Sequence, residues 1–406
     1  MLFLIAAAGL LAASGGTTKL TTVEARDAVA AVLPQLESIR GLSFAKTVPV
    51  SVIGDAKARE YALARFRRLT PEATIRADQT AYRLLGLVPP DTDVVKTLLD
   101  VLEEQAGGFY DPQTKSFYLL DDMPRAMTGM LAAHEMTHAL EDQRYDLDAR
   151  IAKVIENDDA SFALSSLIEG SASLAGMIYL SRGVSTGKVG ADDLREIADS
   201  EVAKAERLNA MPGVLRRQLL GPYLLGMSFL ARGRPERTAN EYPKADAEAA
   251  WSKPPVSSEQ ILHPEKYWDP GKRDEPKPVA IRGASTALGK GWSLTGGGVL
   301  GEVTIGSLVG ANAPSASEAS SDGSWWTNAA ASGWGGDRFE VWENGGQALA
   351  LVATVWDTET DAREFEASLP KGREGFAFRR SGARVGIVAG PAGAKRDPLL
   401  ALLVRK

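Results

Sequence analysis

The chain has 406 residues, 44% of them hydrophobic and 24% charged, with a formal net charge of −6. That length suits two domains rather than one, and the apolar share is enough for packed cores. The acidic balance, without any lysine/arginine run, gives nucleic acid no electrostatic footprint, and the absence of cysteine excludes disulfides, thiol nucleophiles, cysteine metal ligands and a lipidated N-terminal cysteine.

Residues 1–13 are apolar and are followed by the small residues Ser14, Gly15 and Gly16. This is the pattern of a secretory leader over residues 1–16, too short to span a bilayer. It predicts a secreted or periplasmic product of the cell envelope, with no stable membrane span once the leader is removed. Residues 21–87 read as helical, with Val23, Ala30 and Leu33 at helical spacing and Thr70-Pro71 as a helix start. Asp91 or Asp93 caps a further helix to about Ala106, ended by Gly107-Gly108. Residues 108–120 carry two short aromatic runs joined by a turn at Asp111-Pro112 and Thr114-Lys115, which predicts a β-hairpin.

Helix signals resume after Pro124 and run to about Tyr145. A long apolar stretch follows over 162–180, where Gly170, Ala172, Ser173 and Gly176 permit close helix packing and, of Asp, Glu, Lys, Arg and His, only Glu169 occurs. Helices are expected at 192–210 and 215–230. Residues 253–279, rich in proline and charge, read as an extended connection whose later part marks a domain boundary. Beyond it, 299–309, 339–342, 349–356, 376–378 and 384–389 read as strands, 360–369 as a short helix and 311–332 as a long Ala/Ser/Gly loop. All eight tryptophans follow residue 250 and read as core rather than a ligand platform. The fold class predicted is α+β. A mostly helical catalytic domain with a short hairpin or sheet spans 17–275, and a smaller α+β domain spans 280–406.

Of only three histidines, two lie in His134-Glu135-Met136-Thr137-His138, an intact H-E-x-x-H. On a helix the two imidazoles share one face and can meet one Zn²⁺, while Glu135 is placed to hold the water that the metal acidifies. A third ligand is needed. A His-x-x-Gly-x-x-His continuation is absent, since Glu141 and Arg144 stand where it requires glycine and histidine. Asp142 lies roughly 12 Å along the axis from His134, so it suits orienting His138 better than sharing its metal. Glu156, Asp158 and Asp159 sit in a polar stretch and read as solvated. Glu169 is the best third ligand, because a lone carboxylate in an apolar helix needs a cation or hydrogen bonds to offset its burial. His263 reads either as a donor to a tetrahedral oxyanion or as a loop histidine, and Tyr267 is a weaker donor candidate. A peptide or protein substrate would pair with an exposed strand edge, for which residues 117–120 are the natural candidate.

H-E-x-x-H followed by a glutamate on the next long helix resembles the gluzincin clan of zinc metallopeptidases, although the 31 positions from His138 to Glu169 exceed the gap in thermolysin-like members. Three blocks, Gly108-Phe-Tyr-Asp-Pro112, His134-Glu-Met-Thr-His-Ala-Leu-Glu-Asp-Gln143 and Ser258-Glu-Gln-Ile-Leu-His-Pro-Glu-Lys-Tyr267, resemble a family of bacterial metallopeptidases known mainly by motif. The resemblance covers roughly residues 90 to 270. It implies one catalytic Zn²⁺ held by His134, His138 and Glu169, Glu135 as the catalytic acid/base, and His263 near the active site. The function expected is that of a secreted zinc endopeptidase, or an aminopeptidase of the same clan. The alternative is a non-proteolytic envelope binding or assembly protein with a vestigial zinc site. Neither composition nor motif fixes an oligomeric state.

Overall fold

The computed structural model describes residues 8–10, 19–69, 72–239, 241–310, 326–391 and 396–405. The fold is α+β, as expected. Most of the predicted leader lies outside the described residues, as do Thr70-Pro71 and residues 311–325 of the predicted loop.

The first long helix, Thr22–Arg40, starts at a capping box in which Thr21 and Glu24 satisfy each other's backbone N–H groups. The hairpin forms as predicted, from Ala106–Asp111 and Ser116–Leu120. Val50–Ile53, within the stretch read as helical, is instead a strand parallel to Ser116–Leu120, and Ala8–Leu10 pairs antiparallel with the other hairpin strand. Residues 117–120 therefore have neighbours on both sides and offer no free edge to a substrate, which corrects the sequence expectation.

Arg125–Tyr145, the motif helix, is buried over most of its length. So is Asp158–Ser185, which carries Glu169. The latter is long and apolar enough to cross a membrane, contrary to the reading that no segment after the leader is; here its apolar surface is enclosed within the molecule. An all-round apolar helix is what a central core position requires. The helix Gly213–Leu230 crosses it where Gly170 meets Gly226. A Cβ on Gly170 would stand 2.2 Å from the carbonyl carbon of Gly226, and one on Gly226 2.0 Å from the carbonyl oxygen of Ser166. Gly176 faces the motif helix more loosely: a Cβ there would lie 3.4 Å from the carbonyl oxygen of Met130 and 3.7 Å from Cβ of His134, which is ordinary contact.

The second sheet is antiparallel throughout, in the order Ser293–Gly298, Trp334–Asn344, Gln347–Trp356, Arg384–Ala389, Phe376–Ser381. Helix Glu359–Ser368 forms where expected. Residues 299–309, read as a strand, instead contain the helix Gly301–Leu308. The Asp337 carboxylate accepts the N–H groups of Leu300 and Gly301 at 2.9 Å each, a cap that outweighs the local β-branched preference. The connection over 253–279 is likewise not extended throughout, since it contains short helices at Ser258–Leu262 and Glu265–Trp268.

The change in texture near 275–280 is not a break in packing. Leu215 and Leu219 share one core with Val303, Ile305, Trp326, Phe339 and Val341. Gln218 Nε2 donates to Tyr82 Oη at 2.6 Å and to Thr304 Oγ1 at 3.4 Å, so a buried polar strut accompanies the apolar contact. Trp251, Trp326, Trp334 and Trp356 are fully buried, in keeping with a core role.

Candidate metal centre

The motif helix places His134 and His138 one turn apart, and the apolar helix packed against it, with Gly176 facing Met130 and His134, delivers Glu169. The three side chains meet. His134 Nε2 lies 3.2 Å from Glu169 Oε2, His138 Nε2 lies 3.5 Å from the same oxygen, and the two Nε2 atoms are 3.2 Å apart. All three residues are buried, and this group could hold a metal ion. Burial alone would push the Glu169 carboxyl up, but the imidazoles of His138 and His134 outweigh it and hold the group at about 2.

Glu135 is fully buried beside this group, and its Oε2 accepts the backbone N–H of Tyr110 at 2.7 Å. The hairpin thus fixes the carboxylate directly. Tyr223, from the crossing helix, stacks on His134 with ring centroids 6.0 Å apart and planes 18° apart, and its phenol hydrogen-bonds to Glu169. Burial, followed by the charges of Glu169 and Glu135, drives the Tyr223 pKa far up, so the phenol keeps its proton. Sequence reasoning missed Tyr223. Its one local signal is a hydroxyl-bearing ring three residues before the close-packing Gly226.

The end of the motif block fastens three neighbours with three consecutive residues. Glu141 is fully buried, and its Oε1 accepts from Arg40, Ser171 and, at 3.1 Å, Trp251 Nε1. Asp142 accepts from Tyr110 Oη and Lys115 Nζ at 2.7 Å each and from the Leu147 N–H at 3.0 Å. Gln143 Oε1 accepts the N–H groups of Ala45 and Lys46 at 2.8 and 3.0 Å. Asp142 is therefore committed to the hairpin rather than to orienting His138, whose Nδ1 has no hydrogen-bond partner among the described residues. Glu141, one turn on, lies close enough to interact electrostatically with His138.

The structure does not bring His263 to this group. Its Nε2 faces Glu302 Oε1 at 3.0 Å and Ser332 Oγ at 3.5 Å, and Glu302 holds its pKa up despite burial. The block that carries it is a clasp. Ser258 N–H donates to Asp159 Oδ1 at 2.8 Å, Ser258 Oγ accepts from Val303 N–H at 3.2 Å, and Lys266 binds Glu259, Asp274 and Asp357 together. Tyr267 spends its hydroxyl on the Lys253 carbonyl. Asp158 and Asp159 are buried rather than solvated, since the clasp encloses the start of their helix, whereas Glu156 is exposed.

A family model described as Domain of unknown function (DUF8575) matches residues 293–371, whose described part includes three strands of the antiparallel sheet and the helices Gly301–Leu308 and Glu359–Ser368. No curated protein and no solved structure matches the chain.

Proposed function

We propose that this chain is a zinc-dependent peptidase, and one observation carries the reading: the spacing of the three donor atoms. Zinc bonded to nitrogen and oxygen at ~2.0–2.1 Å in a tetrahedral arrangement sets its ligand atoms roughly 3.3 Å apart. The separations of 3.2, 3.2 and 3.5 Å fit that figure. Two neutral imidazoles and one ionised carboxylate are also the donor set of a catalytic rather than a sealed structural zinc, because three protein ligands leave a fourth position. Zinc would supply Lewis acidity there, bringing water's pKa towards ~7 and polarising a carbonyl.

The chain's own groups supply the rest. Glu135, held by the Tyr110 N–H, accepts the proton of the attacking water and returns it to the leaving amine. Tyr223, protonated and aimed at the same group, is the donor available to a developing oxyanion, the part the sequence had offered to His263.

The test combines metal content with cleavage. The purified chain should hold zinc, lose it when His134 is replaced by alanine, and cut a mixed peptide library. Peptides blocked at both ends separate an endopeptidase, which cuts them, from an exopeptidase, which does not. A zinc-loaded chain that cleaves nothing would favour the binding-protein reading instead.

A further inference from the structure

Helix Asp55–Leu69 packs on the hairpin, whose strand Ala106–Asp111 holds Glu135 through the Tyr110 N–H. Tyr61 packs its ring on Phe109 and Tyr118, at centroid distances of 6.0 and 4.9 Å. At the helix end, Arg68 pairs with both carboxylate oxygens of Asp148, at 3.2 and 3.3 Å. Arg65 lies between these two anchors, one turn after Tyr61 and on the same face. Its Nε is enclosed and lacks a hydrogen-bond partner, and the side chain forms no ion pair with any described residue. The residue is only part-buried, so its outer end remains within reach of a ligand.

Three carboxylates act on Arg65 through space: Asp111 of the hairpin, Asp148, and Glu169 of the metal centre. Asp148 is taken by Arg68. Asp111 Oδ1 accepts the Gln113 N–H at 3.0 Å, and Glu169 is turned to the two histidines. None of them satisfies the guanidinium. An enclosed Nε without a partner is costly, and the planar fork that carries it matches a carboxylate better than any other peptide group.

We propose that Arg65 is a specificity-determining residue of this site, gripping a substrate carboxylate that lies beside the scissile bond. This rests on the peptidase reading above and narrows it to peptides that present a carboxylate there. That group is either the free C-terminus, which makes the chain a trimmer of C-terminal residues, or an acidic side chain.

The experiment reads binding rather than turnover. Zinc-loaded Glu135→Gln protein, with and without Arg65→Met, is titrated calorimetrically with three probes. They are N-acetylphenylalanylalanine, its C-terminal amide, and the amide of N-acetylphenylalanylglutamate. The free acid should bind about ten- to a hundredfold more tightly than its amide, the range for one charge-assisted bidentate pair, and Arg65→Met should erase the difference. If the glutamyl amide instead shows the Arg65-dependent gain, the side-chain carboxylate is the group read. Arg65→Lys, which keeps charge and helix propensity, should retain part of the preference, and it carries the comparison if Arg65→Met does not fold. Equal binding of all three probes, binding of none, or a preference that survives Arg65→Met overturns the assignment. An Arg65-dependent preference in a parent chain that cleaves no peptide would sink the peptidase reading and leave Arg65 as a carboxylate-binding residue only.

Discussion

In the proposed mechanism Glu135 handles the proton and Tyr223 donates the hydrogen bond, and each role is separable by a near-isosteric change. Glu135→Gln keeps the shape and the Tyr110 N–H contact but removes the base. Zinc content should be unchanged and the cleavage rate should fall about 10²–10⁴-fold. A variant that cleaves as fast as the parent would reject the mechanism. Tyr223→Phe keeps the stack on His134 and removes the donor, so kcat should fall about 10²–10³-fold while KM moves little. If KM rises and kcat holds, Tyr223 is a substrate-binding group instead. At this scale the sequence was legible where chemistry is concentrated in few residue types. Two of three histidines in one motif announce themselves, and so does a single carboxylate in a nineteen-residue apolar run. Tyr223 and Arg65 belong to ordinary helical sequence, and only the packing of their helices sets Tyr223 on His134 and the Arg65 helix on the hairpin.

The helices around the site depend on glycine contacts, and these make the element-scale prediction. Gly226→Ala puts a methyl group into the Ser166 carbonyl, which cannot yield as a flexible side chain would. Separating the two helices should cost about 1–3 kcal/mol, read as a lower urea midpoint. It should also weaken zinc binding, because Tyr223 and Glu169 sit on the two helices being parted. Gly233→Ala, at a positive-φ position with nothing closer than 3.9 Å, provides a strained-backbone comparison that should leave zinc affinity alone. The helix Arg125–Tyr145 could be read from sequence almost to the residue, since Pro124 marks its start and a proline is a local signal. The run 299–309 could not. Its β-branched residues favour a strand, and the carboxylate that turns it into a helix comes from Asp337, distant in sequence. The same holds for residues 117–120, whose alternation marks a strand but says nothing of which strands flank it.

Across the whole molecule, the two textures seen in sequence are joined by buried acid. Asp159 starts the helix that carries Glu169 and receives Ser258 N–H, and Gly301, at φ +73°, packs so tightly on it that a Cβ would lie 2.0 Å from Oδ1. Burial, with smaller contributions from Asp337 and Glu302, pushes Asp159 up to about 7, against hydrogen bonds from Ser258 that lower it. Burial likewise raises Asp337 to about 6. In the unfolded chain both ionise near ~4. Below that pH both states are protonated and the stabilisation is fully present. Between ~4 and the folded values the unfolded chain releases protons that the folded chain retains, so stability falls as pH rises through about 6 to 7 and then levels off. The urea midpoint should therefore be higher at pH 5 than at pH 8, by an amount equivalent to about 1–3 kcal/mol. Asp159→Asn removes one titration and keeps an acceptor for Ser258, so it should flatten the slope and raise the midpoint at pH 8. Zinc release on acidification acts in the opposite direction, because the ligand histidines must be neutral. Measuring parent and variant both with and without chelator isolates the junction. A slope identical in parent and Asp159→Asn would mean that Asp159 is ionised in the fold, and that its bonds to Ser258 outweigh its burial.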